Sequence, residues 1–106
     1  MSENIFESLT EKVKDFSRLR DWEKFHTPKN LAMAIAGEAG ELVAEFQWLT
    51  SEESSRNELS ADRLEAIRLE IADIQIYLLR LADQLEIEVP KAVLDKLAIN
   101  EKRFKF

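Results

Sequence analysis

Cysteine is absent from the sequence. That excludes a disulfide framework, a thiolate zinc site and a cysteine nucleophile, and it fits a cytoplasmic protein. Two glycines and two prolines in 106 residues are too few for a sheet with many tight turns, and a glycine-rich phosphate loop is excluded as well. Helices remain. Histidine occurs once, at position 26. No apolar run approaches the roughly 18 residues of a membrane span, and the opening MSENIFESLTEK has neither a basic start nor an apolar signal core. Basic side chains are in deficit, 15 against 21 acidic, for a net charge of −6. Such a chain repels a nucleic-acid polymer, whose affinity comes mostly from basic neutralisation of phosphates. A small phosphate ligand is compatible with it if a divalent cation sits between the negative partners.

Hydrophobic residues at 45% and charged residues at 34% describe one folded domain spanning residues 1–106. Ile5, Leu9, Val13 and Phe16 recur at spacings of three and four, one stripe of an amphipathic helix over 4–20. Residues 21–26, DWEKFH, read as a loop. Thr27-Pro28 starts a second helix running to about Trp48. LTSEESSRNELS, residues 49–60, is polar, serine-rich and reads as a flexible connection. Ala61 to Leu85 is a long stretch of helix formers with Ser60 at the cap position, and Pro90 opens a last helix carrying Ala92, Val93, Leu94 and Leu97. The expected fold is all-α, a four-helix bundle-like subunit.

The second helix sets Leu31, Ala34, Ile35, Leu42 and Phe46 on one side, with Glu38 and Glu45 inside that arc and Glu41 at its edge. The third helix has an apolar arc of Leu64, Ile67, Ile71, Ile74, Leu78 and Leu81, with Glu70 and Tyr77 at its edge and Asp73 one step further round. Isolated buried carboxylates are costly, so acids set against apolar surface call for cations, protons or a metal. Glu38-x-x-Glu41 and Glu70-x-x-Asp73 each occupy neighbouring positions on one helix face, so two antiparallel helices present four carboxylates to one cluster. Oxygen-only ligands favour magnesium, with manganese as a substitute. The bland alternative is that these acids edge the faces of a charge-rich helical protein. A second stripe on the third helix, Leu69, Ala72, Ile76 and Leu79, calls for burial against another copy of the chain, so a homo-oligomer, dimer or tetramer, is expected.

The stretches RDWEKFHTPKNLAMAIAGEAGELVAEFQWL (20–49), LEIADIQIYLLRLA (69–82) and KLAINEKRF (96–104) together resemble the all-α, MazG-like nucleoside triphosphate pyrophosphohydrolases, and most closely their dCTP pyrophosphatase branch. The likeness covers most of the chain. The family's metal motif falls on Glu38, Glu41, Glu70 and Asp73. The broader MazG pattern opens with two adjacent glutamates, whereas Gly37 precedes Glu38 here, as in the dCTP-type branch. The resemblance implies hydrolysis of a dNTP, dCTP or a modified dCTP, to the monophosphate and pyrophosphate, with magnesium activating water against the α-phosphorus and the four carboxylates serving as ligands and catalytic groups. Trp22, Phe25, Trp48 and Tyr77 are the candidate base pocket, against ordinary core packing as the alternative. His26 and Asn30 become substrate contacts, against a structural or surface role. Lys96, Asn100 and Arg103 match the family's C-terminal polar motif and become phosphate contacts, against a solvated last helix.

Three other readings compete. One is a broader or dUTP-directed specificity, since base choice turns on a few pocket contacts. Another is a helical interaction module, whose stripes build an assembly while the acids solubilise its rim. An iron-handling bundle is the third, but di-iron sites use Glu-x-x-His twice and the lone histidine lies outside the acidic cluster.

Overall fold

The computed structural model describes residues 4–104; the few expected domain residues beyond these lie outside the described residues. The element order is α1 (Ile5–Leu19), a short 3₁₀ turn (Glu23–Phe25), α2 (Pro28–Phe46), α3 (Ala61–Gln84) and α4 (Val89–Arg103). Among the described residues there is no strand and no helix long and apolar enough to cross a membrane. Four helices appear where the sequence periodicity predicts them.

Two compact units divide these elements. One comprises the chain up to Pro28 together with Leu79 onward; the other is Lys29–Leu78. In the second unit α2 and α3 form a hairpin: Arg63 reaches Glu45 near its closed end, and Glu70 lies by Glu38 and Glu41 further along. That pairing order makes the two helices antiparallel, as the sequence reading expects, though it gathers three of the four carboxylates. Leu31 and Ile67 are its buried apolar side chains, whereas Ile71 and Leu78 of the expected arc remain partly exposed. Of the second α3 stripe, Leu69, Ala72 and Ile76 are exposed, but Leu79 is buried within the first unit.

Local chemistry accounts for the helix ends. Asn4 caps α1, its Oδ1 accepting from the amides of Phe6 at 3.0 Å and Glu7 at 3.3 Å. The hydroxyl of Ser60 accepts from the Arg63 amide at 3.1 Å and starts α3. Both α1 and α3 close with the Schellman pattern. The Trp22 amide donates to the Ser17 carbonyl and the Asp21 amide to that of Arg18; at the end of α3, Ile87 and Glu86 donate to Ala82 and Asp83 in the same way. The left-handed residue in each motif is not glycine: Asp21 has φ 55° and Glu86 φ 56°. A side chain there is strained, more so for glutamate than for aspartate. Glu86→Gly is therefore expected to raise stability by about 0.5–1 kcal/mol, read as a higher Tm at neutral pH.

Between α2 and α3 the chain is a run of hydrogen-bonded turns, in place of the unstructured connection its composition suggests. The Thr50 amide donates to Glu53 Oε1 at 2.8 Å while the Glu53 amide donates to Thr50 Oγ1 at 3.2 Å, a reciprocal capping box. The hydroxyl of Ser54 adds a 2.6 Å bond to the Ser51 carbonyl. Helix α2 stops at Phe46, before the expected Trp48, and the Leu49 amide closes the turn on the Phe46 carbonyl.

Candidate metal centre and nucleotide site

Successive turns of α2 carry Glu38 and Glu41, and the facing stretch of α3 carries Glu70. Each offers a carboxylate oxygen within 4.8 Å of the other two. Glu38 and Glu70 are half-buried and Glu41 is exposed, so the cluster has a closed side and an open side. The Oε2 atoms of Glu38 and Glu70 are shut off from solvent and have no hydrogen-bond partner. Among the described residues, no ion pair engages any of the three.

The electrostatic consequence is a site that resists full ionisation. Burial first, then the neighbouring Glu38 and Glu41 carboxyls, push Glu70 up to about 7. Burial also raises Glu38, reinforced by the charges of Glu41 and Asp73 and opposed by the neighbouring Glu70 carboxyl. Water withdrawal and like charge act together here, the two influences that keep a carboxyl protonated. A hard divalent cation removes both costs at once. The donor set is all oxygen, and the orphaned buried oxygens are the lone pairs such an ion takes up, so the residues present fit magnesium or manganese. Asp73 lies outside this triangle, exposed, with its charge felt at Glu38.

Glu45, which helical projection sets inward alongside Glu38, has a different part. Its side chain pairs with Arg63 at 3.4 Å, and Arg63 Nη1 also donates to the Glu45 carbonyl. The arginine clasps the end of α2 and neutralises Glu45, which separates it from the unpaired acids. Periodicity on one helix does not reveal this pairing, because the partner of Arg63 lies 18 positions earlier.

The remaining candidates fall in both units. In the first, Trp22 stands edge-on to Phe16 at 5.7 Å and tilted against His26 at 6.3 Å. Trp22 is 44% exposed and Phe25 60% exposed, so neither is a core side chain, while His26 is half-buried. Lys96 and Arg103 are exposed on α4; Arg103 lies over the Phe104 ring at 5.1 Å, and the Asn100 carbonyl accepts from the Phe104 amide at 2.8 Å. In the second unit Trp48 is 87% exposed just beyond α2, which excludes core packing within this chain. Asn30 is exposed near the start of α2, and Tyr77 is half-buried on α3. A cavity of about 450 Å³ in the first unit, lined by Phe6, Leu79, Ile87 and Leu94 among others, contains none of these candidates.

Comparison with known proteins bears on the family of the chain. Residues 33–106, which include all four candidate metal ligands, match the model of the MazG-like family. The chain is 40% identical over 103 residues to dCTP pyrophosphatase 1 of Bos taurus, covering 97% of this chain and 61% of that protein. It is 39% identical over 102 residues to dCTP pyrophosphatase 1 of Homo sapiens, covering 96% and 60%. It thus spans about three-fifths of the length of these relatives. A pyrophosphatase of solved structure from Archaeoglobus fulgidus superposes with a TM-score of 0.90 at 38% identity, over all of this chain and 97% of the other. With a family model matched over most of its length and a solved pyrophosphatase superposing on all of it, this chain belongs to the MazG-like family.

Proposed function

We propose that this chain is a magnesium-dependent nucleoside triphosphate pyrophosphohydrolase. Its favoured substrate is dCTP or a modified dCTP, split to the monophosphate and pyrophosphate in cytoplasmic clearance of the nucleotide pool. The observation that carries this reading is the cluster of Glu38, Glu41 and Glu70, with two buried oxygens that no protein group partners. A rim that merely solubilises an assembly needs no buried, unpaired acids, and burying them is costly. The dCTP pyrophosphatase names of two relatives support the choice of base.

Glu38, Glu41 and Glu70 hold the cation, with Asp73 completing the set. When bound, magnesium neutralises the triphosphate and activates water for attack on the α-phosphorus. The carboxylates fix where that charge sits, and the half-buried pair keeps bulk water from one side of it. Trp22, Phe25, Trp48 and Tyr77 are the aromatic side chains assigned to stacking on the base, Trp48 with 87% of its surface exposed. His26 and Asn30 supply polar contacts to the nucleoside. Lys96, Asn100 and Arg103 approach the phosphates. The chain works as a single catalytic domain within a homo-oligomer, a dimer or tetramer, which would cover the exposed Leu69 and Ile76 of α3 and Val93, Leu94 and Leu97 of α4.

The test is pyrophosphate release from each dNTP, dUTP and 5-methyl-dCTP, with magnesium and with excess chelator. Metal-dependent release confined to cytosine nucleotides is expected. Equal release from several bases would leave the metal site standing and overturn the cytosine assignment. No release from any nucleotide would overturn the activity.

A further inference from the structure

Arg80 on α3 is 4% exposed. A guanidinium withdrawn that far from water ordinarily gathers acceptors around its donors. Arg80 pairs with Asp83 of its own helix at 3.5 Å, the outer limit of a contact, and its Nε is sealed from solvent with no hydrogen-bond partner. Stability alone would favour an apolar side chain of similar volume here. One turn on, Gln84 Nε2 donates to the His26 carbonyl, so the same end of α3 holds the backbone at the junction into α2. His26 is in turn tilted against Trp22, its ring centroid 6.3 Å away.

We propose that Arg80 and Gln84 are positioning residues for nucleotide recognition: from one end of α3 they hold His26, through its backbone and through the field around its ring, beside Trp22 as a polar wall for the base. This rests on the reading of the site as a nucleotide pocket. Two charged groups act on the imidazole, Arg80 from α3 and Glu23 from the adjoining 3₁₀ turn. Burial first, then Arg80, lower its pKa from the usual value, and Glu23 works against them. A neutral imidazole has one donor and one acceptor, the complement of an uncharged base edge; the protonated ring has two donors and a charge that attracts phosphate. Arg80 thus acts on the substrate through His26.

The experiment follows the His26 ring by NMR across pH in the unaltered protein, Arg80→Met and Arg80→Lys, alongside kcat/KM for dCTP. Methionine suits the buried site, and Asp83, only partly buried, keeps access to water, so R80M is expected to fold. Its His26 should titrate at higher pH than in the unaltered protein, and R80K should restore the original titration. The ratio of kcat/KM at pH 8 to that at pH 6 should rise at least about threefold in R80M and return in R80K. Gln84→Met should raise KM with kcat little changed. An unchanged His26 titration in R80M, or equal shifts in R80M and R80K, would overturn the role of the Arg80 charge. Absence of turnover in the unaltered protein would overturn the base wall, with the titration still deciding whether Arg80 governs His26.

Discussion

Replacing Glu70 by glutamine is expected to cut magnesium-dependent pyrophosphate release from dCTP by more than about a hundredfold, because even outer-shell partners of a metal contribute roughly ten- to a hundredfold. The same variant should melt no lower than the unaltered protein when metal is absent. The fold already favours the protonated form of this carboxyl, and a neutral amide of the same shape removes the charge without opening a cavity. Loss of turnover without loss of stability is the signature of a ligand. A group held for structure would lose both together. Glu45→Gln is the control: its side chain serves Arg63 outside the cluster, so turnover should stay within about twofold of the unaltered protein. A Glu70→Gln protein that retains full metal-dependent turnover would remove Glu70 from the site.

In the metal-free protein, stability should fall as pH rises from about 4.5 to about 7. The carboxyl of Glu70 has an ordinary value of 4.5 and stands at about 7 in the folded chain, so across that window the native state binds more protons than the unfolded state. Stability therefore declines with pH: the contribution is complete below 4.5 and gone above about 7. Glu38, also raised, acts in the same sense. Magnesium should reverse the trend, since it takes the place of the proton. At about a hundred times its Kd it adds about 2.7 kcal/mol to the folded state, and its affinity should climb with pH until Glu70 is fully ionised. Calorimetric titration in two buffers of different ionisation enthalpy should register proton release near pH 6.5 and almost none at pH 8.5. Thermal melts of the chelated protein that are flat between pH 5 and pH 8 would overturn the assignment.

The carboxylate cluster was legible in the sequence to the extent that one helix face can state it. Glu38, Glu41 and Glu70 follow from spacing, because i and i+3 positions share a face whatever the helix packs against. What separates Glu38 from Glu45 is Arg63, and that pairing exists only once α2 and α3 lie antiparallel. Burial of Arg80 was illegible for the same reason: no periodicity predicts a sealed arginine whose Nε lacks a polar partner. The helix ends divide similarly. Asn4, Ser60 and Pro90 announce starts, whereas the stops at Asp21 and Glu86 lack the glycine that normally signals a left-handed residue. Between α2 and α3, polarity suggested an unstructured link, yet Thr50 and Glu53 held the capping-box spacing all along, without the apolar run that usually follows it.

The two units also differ in how the chain encodes them. The carboxylate hairpin is one uninterrupted stretch, Lys29–Leu78, whereas the other unit joins an early segment to a late one. During translation, at roughly 5–20 residues per second, Glu38, Glu41 and Glu70 have all been made before α4 begins, while α1 must wait for α4. The order of synthesis therefore completes the carboxylate hairpin first and the histidine-bearing unit last.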